Sequence, residues 1–167
     1  MTDSTFIEPN YQLHSCQLRQ LTQAEIIVVS QTLSKMEPWR TLNYSAEKLI
    51  KYLNRQEQYL HQFGIVVQQQ VVGVICTRYP WLYGAYIELF AVYQSQQGQG
   101  IGHDIVNWLA IDLAQKSNLH NIWALVSSFN HEAQQFYQKM GFVEIGQIDD
   151  FVMVGYDEIL LRKSLIL

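Results

Sequence analysis

A chain of 167 residues that is 49% apolar and only 16% charged has material for one core of ordinary size and is not a disordered polymer. Its formal net charge of −4 disfavours nucleic acid as the main partner, since that role calls for basic patches. Two cysteines, Cys16 and Cys76, are too few and too far apart for a disulfide framework or a metal site and read as reduced thiols.

At the start, Met1-Thr2-Asp3-Ser4-Thr5 lacks the basic and apolar regions of a signal peptide. No apolar run approaches the ~20 residues of a membrane span, so a soluble cytoplasmic protein is expected. The five histidines form no H-x-x-x-H pair, and no metal is expected. His14 to Leu21 alternates enough for a first strand. Thr22-Gln23-Ala24-Glu25 has the form of a capping box, and Ile26, Ile27, Val29 and Leu33 continue a helix from it. Pro38 closes that helix, and 37–42 reads as a connecting loop. A second helix starts near Ser45, with Leu49, Ile50, Leu53 and Leu60 at helical intervals.

Phe63 to Val67 and Val71 to Tyr79 are β-branched runs joined by Gln68-Gln69-Gln70, which predicts a hairpin with a solvated turn. Residues 80–84 turn the chain into a strand from Ala85 to Val92. A long helix is predicted from about Gly100 to Lys116, then a strand from Asn121 to Ser127. The last helix runs from Asn130 to Met140 and stops at Gly141, a suitable C′ residue. Phe142 to Ile148 and Glu158 to Lys163 supply two final strands. The pattern predicts an α+β or α/β sandwich, with helices on both faces of one mixed sheet and a single domain over 1–167.

The most informative stretch is Gln97-Gly98-Gln99-Gly100-Ile101-Gly102, set between the strand ending at Val92 and the helix carrying Ile105, Trp108 and Leu109. A glycine-rich turn there presents consecutive backbone N–H groups at the positive end of a helix dipole, a phosphate cradle that needs no lysine. A P-loop would require Gly-Lys-Ser/Thr, whereas Gly102 is followed by His103-Asp104. A dinucleotide fingerprint would require G-x-G-x-x-G and an acid closing the next strand, and 121–127 holds none. The pattern Q/R-x-x-G-x-G/A is met by Gln97, Gly100 and Gly102.

With that loop, the chain resembles the GNAT superfamily of acetyl-CoA-dependent N-acetyltransferases. A second, separate match supports the resemblance: 130–142 is similar to the family's N-x-x-A-x-x-F/L-Y-x-K-x-G-F segment. The resemblance covers roughly Phe63 to Lys163 well and the first 60 residues only in outline. It implies a partly splayed sheet of six or seven strands, in which 85–92 and 121–127 separate into a V that receives acetyl-pantetheine. It places acetyl-CoA, the co-substrate, on Gln97, Gly98, Gln99, Gly100, Ile101 and Gly102. The backbone of Phe90, Ala91 and Val92, where the strand bulges, is expected to hold the pantetheine and polarise the thioester. Many relatives carry arginine where Gln97 stands, so this cradle leans more on N–H groups. His103 either compensates or is a surface residue.

Acetyl transfer to an amine by direct attack, through a tetrahedral intermediate, needs a neutral amine, a stabilised oxyanion and a tolerable leaving group. At pH 7 only about 0.1% of a typical alkyl amine is neutral, a cost of roughly 4 kcal/mol that a base or desolvation must offset. The motif places Tyr137 at the CoA sulfur as the acid; the bland reading is a core tyrosine. Asn130 is an N-cap, and the resemblance adds a contact with the cofactor. Glu88 lies where many relatives carry a base, or else it pairs with Arg78 across the hairpin.

The family's acceptor cleft corresponds to regions holding Trp39, Arg40, Tyr44, Tyr79, Trp81 and Tyr83, with Asp149, Asp150, Asp157 and Glu158. Trp39 and Tyr83 are the residues expected to bind acceptor. Aromatic rings with carboxylates suit a cation, so a small primary amine is expected. Two alternatives stand: a protein or peptide acetyltransferase, and a non-catalytic acetyl-CoA-binding regulatory domain. Neither membrane nor nucleic acid is an expected partner. A homodimer is compatible with the apolar tail Ser164-Leu165-Ile166-Leu167, as is a terminal strand packed in place.

Overall fold

The computed structural model describes residues 5–166, so 1–4 of the segment searched for a leader and Leu167 of the apolar tail lie outside the described residues. Helix α1 (Gln23–Leu33) starts with the expected capping box: Thr22 Oγ1 accepts from Glu25 N–H at 3.2 Å, and Glu25 accepts from Thr22 N–H at 2.8 Å. Arg19 grips both oxygens of the same carboxylate at 2.9 Å and holds it down to about 2. Ser45 caps α2 (Ala46–Leu53), α3 runs Ile101–Lys116, and α4 is His131–Lys139. The second helix stops at Leu53, capped by Asn54, and Leu60 instead opens a strand that pairs with Arg78. Its spacing of seven from Leu53 fits a helix by coincidence.

The strands are β1 (Asn10–Gln12), β2 (Gln17–Arg19), β3 (Leu60–Val67), β4 (Gln70–Trp81), β5 (Gly84–Val92), β6 (Asn121–Ser127), β7 (Val143–Met153) and β8 (Tyr156–Ser164). They form one sheet in the order β1-β2-β3-β4-β5-β6-β8-β7, in which only β5 and β6 run parallel. Among the described residues the sheet has eight strands, where six or seven are expected. The strand expected from His14 to Leu21 is present only as the three residues of β2, which pair with the unexpected β1 ahead of it in a hairpin closed by Leu13 N–H to the Cys16 carbonyl at 2.9 Å. Strands that short leave almost no alternation to read. In the tail, Leu165 packs on the core while Ile166 is exposed.

Helices cover both faces, as expected. On one, Ile105, Leu109 and Leu113 of α3 and Tyr137 of α4 bury Ile75, Ile87 and Ile122 of the sheet. On the other, Val29 and Leu33 of α1 with Leu49 and Leu53 of α2 cover Val74, Cys76, Leu89 and Ala91. Cys16 and Cys76 are buried free thiols, and burial pushes Cys16 up to about 11.

Strand β5 changes face partway along. Cys76 pairs with Leu89 but Thr77 pairs with Ile87, so Glu88 is the extra residue of a bulge. Ala85 and Ile87 therefore face α3, whereas Leu89 and Ala91 face α1 and α2, and Phe90 and Val92 turn towards α3 and α4. At the same point β5 parts from β6: their pairing runs from Gly84–Asn121 to Ile87–Ala124 and no further. The expected V therefore opens at the bulge, two residues earlier than the stretch Phe90–Val92 that the sequence suggested.

The paired half of the V depends on Gly84. A Cβ there would overlap the Asn121 carbonyl. Gly84→Ala is expected to destabilise the fold by about 1–3 kcal/mol, lowering the thermal midpoint by several degrees. An unchanged melting curve would contradict this packing.

Candidate active site

Between the parted strands and α3 lies a cavity of about 480 Å³, lined by the glycine loop, Phe90, Ala91 and Val92, Asn130 and Tyr137, and closed by residues 36–39. Of the loop residues expected to hold the cofactor, Gln97, Gly98, Gly100, Ile101 and Gly102 border it, whereas Gln99 is exposed and does not. Gly98 and Gly100 have φ of +75° and +83°, in the left-handed region that a side chain resists, and open space lies where each Cβ would project. Gly100 is the N-cap of α3, and the first bonded amide of the helix is Asp104 N–H to the Gly100 carbonyl at 3.0 Å. The N–H groups of Ile101, Gly102 and His103 thus precede the helical ladder and stand ready for an anion.

Gly102 serves differently from the expected close approach of phosphate. A Cβ on it would stand 3.1 Å from the Phe136 ring, which packs edge-on against Phe90 at 6.1 Å between centroids. This glycine lets the helix start settle onto α4. Gln97 also turns inward: its side-chain amide donates to the Val92 carbonyl at 2.9 Å and ties the loop to the end of β5. His103 lines the cavity as an exposed residue, 3.7 Å from Asp104.

Beyond Ile87 and Ala124 the facing edges of β5 and β6 are unpaired, so main-chain groups of Phe90, Ala91 and Val92 border the slot where a pantetheine amide would lie. Asn130 Oδ1 accepts from Ala133 N–H at 3.2 Å, the expected cap, and the residue also borders the cavity. Gln134 clamps the end of β6 by donating to the Ser127 and Ser128 carbonyls at 3.2 and 2.9 Å. Tyr137 is buried, edge-on to Phe136 and Phe142, and lines the cavity.

Two expected residues are placed otherwise. Both oxygens of Glu88 accept from Arg78, at 2.6 and 3.0 Å, so the ion pair left open by the sequence is formed and Glu88 is committed to it. Tyr83 is 79% exposed in the turn before β5, at the opposite end of that strand from the cradle, and does not border the cavity. Trp39 does border it. The four acids also separate. Asp149, Asp150 and Asp157 tie the β7–β8 hairpin through Gln147 and backbone amides, whereas Glu158 is buried beside Ser127. Sequence reasoning passed over Tyr86, whose only signal was its place two residues before Glu88 in the alternating strand, and the cavity-lining Met36 and Pro38, visible only as a helix end.

Few ligands demand a diphosphate grip, then a narrow slot edged by free main-chain groups, then a phenol at its far side. A coenzyme A thioester does, and the open space at Gly98 and Gly100 fits its diphosphate. The Acetyltransferase (GNAT) family model matches residues 25–142, well over half the chain, and the chain belongs to that family. It is accordingly an acyl-CoA-dependent acetyltransferase, with acetyl-CoA as co-substrate.

Solved structures share the fold. One is an acetyl transferase of Salmonella typhimurium that modifies the N-terminal serine of ribosomal protein L7/L12, with a TM-score of 0.74, 18% identity and coverage of 92% of this chain and 96% of that one. Another is a chimeric spermidine N-acetyltransferase from Vibrio cholerae, at 0.70 and 18%, covering 90% and 96%. A third is an aminoglycoside 6'-N-acetyltransferase complexed with coenzyme A, at 0.67 and 17%, covering 90% and 97%. No helix among the described residues is long and apolar enough to cross a membrane.

Because Gly100 holds a left-handed conformation against open space, Gly100→Ala strains the loop by about 1–2 kcal/mol and puts a methyl in the anion's path. Acetyl-CoA affinity is expected to fall about tenfold or more by titration calorimetry. An unaltered Kd would show that the loop is not the grip.

Proposed function

We propose that the protein transfers the acetyl group of acetyl-CoA to a primary amine of a small molecule by direct attack on the thioester. The observation that carries this reading is Tyr137, buried yet lining the same cavity as the cradle. Burial first, then the neighbouring Tyr86, pushes its phenol above the usual tyrosine value, so it keeps its proton at neutral pH. Such a phenol protonates a departing thiolate only as another proton arrives to replace its own, which suits a relay with the incoming amine.

Acetyl-CoA supplies the activated acetyl group. The α3 N-terminus takes the diphosphate, Gln97 braces the loop, the edge of Phe90, Ala91 and Val92 meets the pantetheine arm and thioester carbonyl, and Asn130 borders that arm. Trp39 walls the cavity on the acceptor side. Tyr44, Tyr86 and Glu158 are electrostatic neighbours, and rings around a carboxylate favour an ammonium. The names of the spermidine and aminoglycoside enzymes agree with such an acceptor. An enzyme acting on a protein N-terminus shares the fold, so peptides form the second arm of any acceptor panel. Residues 1–167 act as one N-acetyltransferase domain, working in the cytoplasm.

Tyr137→Phe is expected to lower turnover by about 10²–10⁴-fold, measured as CoA release, with acetyl-CoA affinity nearly unchanged. Undiminished turnover would remove the phenol from the chemistry. A wild-type protein that acetylates peptides and no small amine would reverse the choice of acceptor.

A further inference from the structure

Among the described residues, Glu158 is a buried acid with no cation in ion-pair contact. It is 3% exposed, and among the described residues only Ser127 hydrogen-bonds its carboxylate, Oγ donating to Oε1 at 2.8 Å. The guanidinium of Arg78 is spent on Glu88 and Glu57, and that of Arg162, further along β8, donates to Asn121 and lies over the Trp123 ring. An ionised carboxylate in such a place calls for a positive partner.

Its position says where that partner would come from. Glu158 of β8 pairs in register with Ser127, the last residue of β6, and β6 has already left β5 after Ala124. Glu158 thus stands level with the parted stretch of β6, outside the lining of the cavity itself, and Gln134 fixes the Ser127 backbone there. Tyr44, from the loop before α2, and Tyr86 of β5 both lie within its field, and Tyr86 lies next to Tyr137. From β7 it meets uncharged Ile148 in register, and from β5 the remaining charge is Glu88, already held by Arg78.

We infer that Glu158, steadied by Ser127, binds the ammonium of the acceptor and takes its first proton. This rests on the amine-acceptor reading above and names the group that makes the amine nucleophilic. The protons balance. The ammonium gives one proton to the Glu158 carboxylate, and the freed nitrogen pair forms the C–N bond to the acetyl carbon. The C–S bond breaks with its pair on sulfur, and the thiolate takes the Tyr137 proton. The second nitrogen proton restores the phenol, and Glu158 returns its own to solvent. Burial raises the Glu158 carboxyl above the ordinary range and the Ser127 bond pulls it back. Transfer should therefore rise with pH through that raised value, because only the ionised form accepts a proton.

The test is the pH profile of kcat/KM for CoA release with spermidine, an aminoglycoside and a free-N-terminal peptide as probes, on wild type, Glu158→Gln, Glu158→Asp and Ser127→Ala, each checked for folding by its acetyl-CoA affinity. Glu158→Gln should lose about 10²–10³-fold and its acid limb, and Glu158→Asp should recover part of both. Ser127→Ala, which removes the bond that pulls the carboxyl down, should move the limb to higher pH and serves alone if Glu158→Gln does not fold. A Glu158→Gln profile matching wild type, or an unmoved limb in Ser127→Ala, overturns this inference while leaving the amine reading intact. A wild-type protein that binds acetyl-CoA but transfers to no probe overturns both.

Discussion

The separation of two parallel strands after four paired residues governs this molecule. While β5 and β6 pair, from Gly84–Asn121 to Ile87–Ala124, the sheet is continuous and its edges are satisfied. Past that point the same strands must leave main-chain groups unpaired inside a protein, an arrangement that costs free energy unless a ligand supplies partners. The bulge at Glu88 makes the parting possible, because an added residue rotates the rest of β5. It also sends Phe90 and Val92 towards α3 and α4, where Phe90 meets Phe136. The start of α3, the open edge of β5 and the ring of Tyr137 are brought together by this one irregularity.

The Arg78–Glu88 pair belongs to the same device. The bulge residue carries its carboxylate to the face covered by α1 and α2, and a guanidinium from the neighbouring strand grips it with two hydrogen bonds. That anchors the bulge, and a third hydrogen bond ties the same guanidinium to Glu57.

Much of this was legible in the residues. The capping box at Thr22, the helix opening at Gly100, the stop at Gly141 and the strands around 85–92 and 121–127 carry local signals with mechanical causes, and the structure forms each of them. The cradle was readable because positive φ is a glycine's work. The β1–β2 hairpin was not, because three-residue strands are too short to show a period, and Leu60 was misread because a spacing of seven serves a helix and a later strand alike. Tyr83 is an aromatic in a strand-end region that the resemblance assigns to the acceptor, but its turn lies at the end of β5 away from the cavity. Sequence also held two readings of Glu88 open, and only the register of β4 against β5 brings Arg78 to it. The isolation of Glu158 is likewise a matter of tertiary neighbours, for nothing in its own segment distinguishes it from Asp149, Asp150 and Asp157.

The central claim is that the parted strands and the helix start form a ready-made receptor for acetyl-CoA. Calorimetric titration of the purified protein with acetyl-CoA tests it most directly. Saturable one-to-one binding, competed by coenzyme A, is the expected result. A flat titration at millimolar ligand would contradict it.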